Sequence, residues 1–409
     1  MRRLCVAGLG PLPFVLAACA AVAPRPDQTR VDDLPVRSLS VAERQQCDEH
    51  VARAVDAVVR RHYGDAGREA KLALDLDSRA ARARAVLGMV LLQSAAEQDP
   101  PELFLLRSAE VEIERARLLA PDDAFVGWMR AVFFAETGHV SAAAEAAEQA
   151  LAASAGAPPA ERAALLGVAG TYRYELGEER AALPHLQEYA ALRPDDATAF
   201  FRLGACHATR AALPQGVAPA SLQTARRDAE AAARAFARCF ELAPGDEDAA
   251  LAVSAALLRA AELADELADV VAADAVRAEH RQAAAEHRRA AAEHLNGLAE
   301  RFPDSAEPRF RLGVIAADAG QPERARAAYA AGLERDPGHA GCLMNLAAAT
   351  AEAGDTDAAR ALLHRLLAVD DGRPVLTRDE RRRIERWLRG PDEPQSSSGT
   401  SDGQMPRML

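Results

Sequence analysis

The chain has 409 residues, a net charge of −12 and only 4% aromatic residues. Its length is sufficient for a large core or for several domains, and its abundance of Ala, Arg, Glu, Asp and Leu favours helices. Because an acidic chain without a basic block binds phosphate backbones poorly, we expect no nucleic-acid partner. An anionic membrane surface would also repel the chain, so attachment to a membrane would require an anchor.

The first residues have the pattern of a secretory signal. Residues 1–3 read Met-Arg-Arg, and the short apolar run that follows ends in Leu-Ala-Ala-Cys, with the cysteine at position 19. A basic start, an apolar stretch and small residues at the cut are typical of an exported chain. The run is interrupted by Pro11 and Pro13 and is too short to span a bilayer.

The end of this run resembles the bacterial lipobox, in which the chain is cut before the cysteine and the cysteine is acylated. The resemblance implies a signal peptide over residues 1–18, lipidation at Cys19 and a flexible tether over 19–40. It also implies a lipid-anchored protein of the bacterial cell envelope that faces the periplasm. The residue after the cysteine is Ala20. An Asp at this position would resemble a signal for retention at the inner membrane, so its absence favours the outer membrane. A simple secretory signal and a cytoplasmic chain are the alternatives.

From about residue 47 to residue 373 the sequence repeats itself. In the clearest unit, Gly313 lies in a predicted first helix, Gly320 in a turn, and Ala325 and Tyr329 in a second helix that stops before Pro337. Glycine accepts backbone angles that other residues resist, and proline cannot continue a helix. The same offsets recur in two further units, at Ala347, Gly354, Ala359, Leu363 and Asp371, and at Gly170, Gly177, Ala182, Leu186 and Pro194.

This pattern resembles the tetratricopeptide repeat, a helix-turn-helix unit of about 34 residues. The resemblance implies an all-α, right-handed α-solenoid of about eight such units over residues 41–373. A capping helix is predicted over 374–390, because Thr377 and Glu380 form a capping-box pattern. The Ser/Gly/Pro-rich residues 391–409 are predicted to be disordered. Insertions into the repeats are predicted near residues 94–102, 211–224 and 260–285.

The third insertion is predicted to be a helical hairpin with its tip at 272–274. Its second helix carries His280, His287 and His294 at a spacing of seven residues. Seven residues rise about 10.5 Å along a helix, whereas histidines that share a zinc ion each lie about 2 Å from it. We therefore expect a helix-helix seam or a solvated stripe rather than a metal site, with a pH-sensitive contact as the alternative.

The sequence gives no sign of a catalytic site or of a cysteine-ligated metal site. The four cysteines beyond position 19 form no CxxC pair, so they are expected to be buried small residues. A disulfide between Cys206 and Cys239 is left open. The sequence contains no HExxH, no GxSxG and no phosphate-binding loop. We therefore expect a protein that is not an enzyme and that binds no cofactor and no metal.

In the tetratricopeptide family, the first helices of the repeats line a concave groove where ligands bind. The resemblance places acidic residues at one equivalent edge of this groove and aromatic or aliphatic residues along it. The positions where some family members clamp a terminal carboxylate are mostly apolar here, so an apolar peptide with some basic character is the expected partner. Each aromatic could equally fill the core between repeats, and Trp128 is the leading candidate for contact with a ligand. The predicted groove comprises Phe125, Trp128, Val132, Glu136, Tyr174, Glu175, Phe201, Phe310, Val314, Asp318, Met344 and Glu352.

The combination of a lipid anchor and a repeat scaffold resembles lipoproteins that support multiprotein assembly in the envelope. Pilus or secretin assembly, outer-membrane protein insertion and export machinery all fit this resemblance. Two other functions stay open from the sequence. One is a cytoplasmic co-chaperone or regulator, which would require the signal to be false, and the other is the substrate-binding arm of an envelope enzyme.

Overall fold

The computed structural model describes residues 29–98, 101–153, 155–212, 216 and 218–389. Seventeen α-helices and no strands occur in these ranges, so the predicted all-α fold is confirmed. The predicted signal peptide, Cys19 and the predicted tail at 391–409 lie outside the described residues. Within the described ranges, no helix combines the length and the apolar composition that a membrane span needs.

The chain divides into two compact units, with the boundary between Arg210 and Ala211. The first unit contains α1 (Val41–Val59), α2 (Tyr63–Leu76), α3 (Ala81–Ala96), α4 (Leu103–Leu119), α5 (Ala124–Glu136), α6 (Val140–Ala153), α7 (Pro159–Glu175), α8 (Glu179–Leu192) and most of α9 (Ala197–Ala212). The second unit contains α10 (Pro219–Leu242), α11 (Glu247–Val270), α12 (Asp274–Arg301), α13 (Glu307–Asp318), α14 (Pro322–Arg335), α15 (Ala340–Glu352), α16 (Thr356–Gly372) and α17 (Arg378–Arg389).

In the first unit, each odd-numbered helix from α1 to α7 packs on the even-numbered helix that follows it. The odd-numbered helices also pack on one another in the order α1, α3, α5 and α7. The first helices of successive pairs therefore form one continuous layer, as expected for stacked helical repeats. In the second unit, every helix from α10 to α17 packs on the next helix in the chain.

Glycine forms the turn inside four of the helix pairs. Gly138, Gly177, Gly320 and Gly354 have φ angles of +82°, +74°, +68° and +91°. These angles lie in the left-handed region, where a β-carbon would clash with the backbone. The turn positions predicted from the repeat pattern are therefore confirmed at Gly177, Gly320 and Gly354, and Gly138 has the same role.

Small residues also let paired helices approach closely. An added β-carbon on Gly127 of α5 would lie 2.3 Å from the β-carbon of Ala150 in α6. An added β-carbon on Gly170 of α7 would lie 2.8 Å from the side chain of Leu186 in α8. Each pair of helices could accommodate a larger side chain only by separating, which would open the densely packed core.

The middle of the second unit consists of three long helices, α10, α11 and α12. Residues 271–273 connect α11 to α12. Two of the three histidines of α12 contact neighbouring helices. His287 Nε2 lies 3.3 Å from a carboxylate oxygen of Glu230 in α10. His294 Nε2 lies 2.8 Å from the carbonyl oxygen of Ala250 in α11. The predicted helix-helix seam is therefore present at His287 and His294.

Both ends of the described chain are fixed by specific contacts. Within the predicted tether, the carbonyl oxygen of Pro35 accepts a 2.9 Å hydrogen bond from Ser78 Oγ. At the other end, Thr377 and Glu380 exchange the two hydrogen bonds of a capping box, at 3.2 Å and 2.7 Å, before α17. Ile384 of α17 is fully buried against α16. This helix covers the apolar end of the last helix pair, as a repeat stack requires.

The cysteines that the structure describes are all buried thiols. They comprise Cys47, Cys206, Cys239 and Cys342. Burial raises the pKa of the Cys342 thiol to about 12, so this residue is a poor nucleophile. The cysteines therefore act as small apolar core residues.

Candidate functional site

Four of the residues predicted to line the groove lie in the core. Phe125, Trp128 and Val132 of α5 and Met344 of α15 are all buried. The ring of Trp128 meets the ring of Phe125 edge to face, with centroids 5.9 Å apart. The three side chains of α5 are buried because α3, α4, α6 and α7 all pack on this helix. Met344 is buried in a cluster that α15 forms with α16 and α17. For these four side chains the structure corrects the groove interpretation in favour of core packing.

The other predicted groove residues keep part of their surface accessible. Tyr174, Phe201, Phe310, Val314 and Glu136 are half-buried. Glu175, Asp318 and Glu352 are exposed, each near the end of the first helix of its pair. The accessible part of the predicted groove is therefore more acidic than the sequence pattern alone indicates.

In the second unit, a cleft of about 240 Å³ opens between α13, α14 and α15. Its lining comprises Ala317, Gly320, Pro322, Ala325, Tyr329, Asn345, Ala349 and Glu352. The walls are thus largely alanine and proline, while three of the lining residues carry polar side-chain groups. Ligand pockets usually measure about 300 Å³ or more. This cleft therefore has the size for one side chain of a partner rather than for a whole small-molecule cofactor.

Tyr329 and Asn345 supply the deepest polar groups of the cleft. The two residues are only 2% and 5% exposed. Asn345 Nδ2 donates a long 3.4 Å hydrogen bond to Tyr329 Oη. Buried amide and phenol groups need hydrogen-bond partners, and in this pair each group orients the other. Together they give an otherwise apolar cleft a polar interior.

One acidic residue lines the cleft, and a second follows a lining residue in the chain. Glu352 is the last residue of α15 and lines the cleft. Asp318 is the last residue of α13 and follows the lining residue Ala317. No Lys, Arg or His occurs among the lining residues. A cationic group at the cleft is therefore favoured electrostatically.

A partly buried network links the starts of α13 and α15, the two first helices that contribute to the cleft. His339 Nδ1 accepts a 3.1 Å hydrogen bond from the backbone N–H of Cys342, which caps α15. The other ring nitrogen, Nε2, lies 3.2 Å from Glu307 Oε2 at the start of α13. Arg311 donates a 2.8 Å hydrogen bond to the other carboxylate oxygen of Glu307. Hydrogen bonds from His339 and Arg311 lower the pKa of Glu307 to about 2, so the carboxylate is ionised at neutral pH and links the two helices.

Glu136 in the first unit is the acidic groove residue with the most unusual environment. Burial raises the pKa of its carboxyl group to about 7, and the nearby positive charge of Arg61 opposes this effect only in part. Burial raises the pKa values of Tyr63 in α2 and Tyr172 in α7, and the negative charge of Glu136 adds to both shifts. The carboxyl group therefore changes its charge near neutral pH.

The described residues contain no cluster of three or more His, Cys, Asp or Glu side chains that could hold a metal ion. The groove and the cleft can hold peptide side chains through apolar contact, hydrogen bonds and negative charge. Sequence reasoning missed the cleft and its two deepest polar residues. The available signal was Asn345, a polar residue inside the apolar stretch Leu343–Ala349 of α15, which indicates a functional or structural need for an amide.

Models of the tetratricopeptide repeat match this part of the chain. One matches residues 316–376 and another matches residues 280–340. Residues 280–376 therefore carry tetratricopeptide repeats, and the cleft lies within them. No curated protein matches the chain.

Several solved structures are similar to this chain at low identity. MamA from Desulfovibrio magneticus is 16% identical over 52% of this chain and 97% of its own, with a TM-score of 0.36. YrrB, described as a tetratricopeptide repeat protein with an unusual peptide-binding site, is 20% identical over 52% and 97%, with a TM-score of 0.35. PilF of Pseudomonas aeruginosa is 15% identical over 59% and 99%, with a TM-score of 0.36. Similarity at this level says nothing about a ligand.

Proposed function

We propose that this protein is a non-catalytic interaction scaffold that holds a protein partner through the first helices of its helix pairs. The observation that carries this proposal is the acidic cleft at α13, α14 and α15, which has the size and polarity for one peptide side chain. The tetratricopeptide repeats over residues 280–376 support it, because repeats of this kind present extended surfaces for binding. The partner is a protein or peptide with apolar and basic side chains.

We further propose that the scaffold works in the bacterial cell envelope, anchored by an acylated Cys19 and facing the periplasm. The motif at residues 16–19 is the support for this location. An anchor of this kind would place the acidic groove at a membrane whose surface does not itself attract an acidic chain. The outer membrane is favoured over the inner membrane because Ala20 follows the cysteine. The scaffold would then support assembly of a multiprotein complex, such as pilus or secretin, outer-membrane or export machinery.

The location is tested by Cys19→Ser, with Cys47→Ser as the matched control because Cys47 is buried in α1. Cells expressing each variant would be fractionated and labelled with a radioactive fatty acid. We expect Cys19→Ser to lose both the label and the membrane fraction, and Cys47→Ser to keep both. Unchanged labelling and an unchanged membrane fraction for Cys19→Ser would overturn Cys19 as the anchor.

The scaffold function is tested by charge reversal at the three exposed acidic residues of the predicted groove. The triple variant Glu175→Arg, Asp318→Arg and Glu352→Arg would be compared with the wild-type chain by chemical crosslinking in living cells and identification of the captured proteins. We expect one set of partners from the wild type and at least a tenfold smaller yield of the same partners from the variant. An equal yield of the same partners would overturn the groove as the binding surface.

A further inference from the structure

We propose that the cleft between α13, α14 and α15 binds a single lysine or arginine side chain of the partner. This inference rests on the proposed scaffold function and adds to it the chemistry of one recognised side chain. The cleft, defined by the eight lining residues given above, is a discrete site within the described part of the second unit. The volume, walls, interior and charge of the cleft indicate which side chain it binds.

The volume and the walls fit a long unbranched side chain. At about 240 Å³ the cleft is smaller than the usual pocket for a small-molecule ligand. Ala317, Ala325 and Ala349 supply methyl groups from three different helices. The methylene stem of lysine or arginine packs well on such a surface while its charged end seeks polar groups.

The interior of the cleft disfavours an entirely apolar occupant. A leucine or methionine side chain would place hydrocarbon against the polar groups of Tyr329 and Asn345 and would offer them no hydrogen bond. An ammonium or guanidinium group donates hydrogen bonds and accepts none. The amide oxygen of Asn345, the phenol oxygen of Tyr329 and the carboxylate of Glu352 are acceptors, and such oxygens can take a further hydrogen bond beside the contacts that these residues already make. The polar groups that line the cleft therefore match a donor-rich occupant.

The charge of the cleft excludes an acidic occupant and favours a basic one. Glu352 lines the cleft and Asp318 adjoins it, while the lining includes no cationic residue. A carboxylate in this position would be repelled, whereas a cation would be attracted. Lysine and arginine are the side chains that combine a positive charge with an apolar stem.

The test uses small probes that copy the two side chains, n-butylammonium for lysine and n-propylguanidinium for arginine, with 1-butanol as the neutral probe of the lysine stem. The purified full chain would be labelled with 3-fluorotyrosine, because it contains only five tyrosines. Tyr329 lines the cleft, and the other four tyrosines lie in the first unit and report on non-specific effects. The Tyr329→Phe variant assigns the ¹⁹F resonance of Tyr329.

We expect both cations to shift the Tyr329 resonance in a saturable manner, with a Kd on the order of 1–10 mM for probes of this size. The four other resonances should stay in place. 1-Butanol should bind at least fivefold more weakly than n-butylammonium. Glu352→Gln should weaken the binding of n-butylammonium at least threefold and leave that of 1-butanol unchanged. Glu175→Gln, which removes an exposed carboxylate at the equivalent repeat position of the first unit, should change neither.

Three results would overturn the inference. The first is equal binding of 1-butanol and n-butylammonium, which would make the cleft an apolar site. The second is unchanged binding in Ala349→Leu, which fills the cleft, because the probe would then lie elsewhere. The third is the lack of a saturable shift at concentrations tenfold above the expected Kd. In each case the scaffold function could still hold, since crosslinking in cells tests it separately.

Discussion

Gly313 of α13 lies against the ring of Tyr329 of α14, so closely that an added β-carbon would be 2.3 Å from the ring carbon Cε1. This contact fixes the position of the tyrosine that supplies part of the polar interior of the cleft. The aromatic ring thus has two functions, since it fills the space that the glycine leaves between two helices and also presents its hydroxyl group to the cleft. The repeat signature and the proposed ligand site meet at this residue.

Gly313→Ala should destabilise the second unit by about 2 kcal/mol, because the methyl group would force the Tyr329 ring and α14 to shift. Gly297→Ala is the matched control, since Gly297 lies inside α12 with nothing within 4 Å of an added β-carbon. The control should stabilise the chain by about 0.5–1 kcal/mol, which is the helix propensity difference between the two residues. Urea unfolding followed by circular dichroism measures both. Equal effects of the two substitutions would contradict the close contact.

Glu136→Gln should remove a part of the pH dependence of stability. In the folded protein burial raises the pKa of Glu136 from 4.5 to about 7, so the folded state retains a proton that the unfolded chain has released. The free energy of unfolding therefore falls as the pH rises from about 4.5 to about 7. At pH 8 the variant should be more stable than the wild type by about 2–3 kcal/mol, and near pH 4 the two should be equal. The difference between their free energies of unfolding, measured across this range, isolates the contribution of Glu136.

The exposed Glu175, which ends α7 as Glu136 ends α5, is the control for this experiment. Glu175→Gln should leave the pH dependence of the wild type nearly unchanged. A Glu136→Gln variant that follows the wild-type curve at all pH values would show that the carboxyl group is solvated in the folded state.

Two buried arginines of the first unit should respond in opposite ways to replacement by methionine. Arg202 of α9 is 1% exposed, and its three guanidinium nitrogens have no hydrogen-bond partner among the described residues. Burial accordingly lowers its pKa. Arg84 of α3 is also buried but bonds the carbonyl oxygen of Ser78 at 2.8 Å and a carboxylate oxygen of Glu112 at 2.5 Å.

Arg202→Met should therefore stabilise the first unit by about 1–3 kcal/mol, because it replaces a poorly compensated buried charge with an apolar side chain. Arg84→Met should destabilise it by about 3 kcal/mol, because the partners of Arg84 lose their donors. Thermal unfolding of both variants provides the comparison. A strong loss of stability in Arg202→Met would show that its guanidinium group makes favourable contacts in solution.

Trp128 and Phe201 distinguish core packing from partner binding. Trp128→Ala should cost about 3–5 kcal/mol, because it removes a buried indole from the core of the first unit. Phe201 is only half-buried, so Phe201→Ala should cost less and should weaken partner capture at temperatures where the helices remain intact. Circular dichroism and crosslinking yield, measured on the same samples, separate the two effects. A folded Trp128→Ala variant with lost capture would restore the original groove interpretation.

The repeat pattern predicted the helices and their turns because these depend on local signals. Glycines with positive φ, such as Gly320 and Gly354, are needed wherever a first helix turns sharply into a second helix. Close contacts such as that of Gly170 with Leu186 follow from small residues at fixed offsets. Seven-residue spacing likewise predicted the histidine seam of α12, since the spacing alone places these side chains on one helix face.

Exposure of the groove residues was harder to predict because it depends on packing between repeats. The position of Phe125 or Trp128 on a first helix does not reveal that four neighbouring helices cover α5. The burial of Glu136 and Arg202 also depends on packing between repeats. It could not be predicted from the sequence, because charged residues are expected at the surface unless a partner compensates them. The cleft itself needs three helices to form, so its lining is scattered over the sequence and has no local signature.

In the proposed function, partners bind the exposed side of the first helices and not the opposite side of the helix pairs. Site-specific photo-crosslinking in living cells distinguishes the two sides, with benzoylphenylalanine placed at Glu175 or Asp318 on first helices and at Leu72 or Leu118 on second helices. All four positions are exposed. We predict discrete adducts with the same partner from the two first-helix positions and none from the two second-helix positions. Equal adducts from both sets, or adducts from Leu72 and Leu118 alone, would exclude the first helices as the specific binding surface.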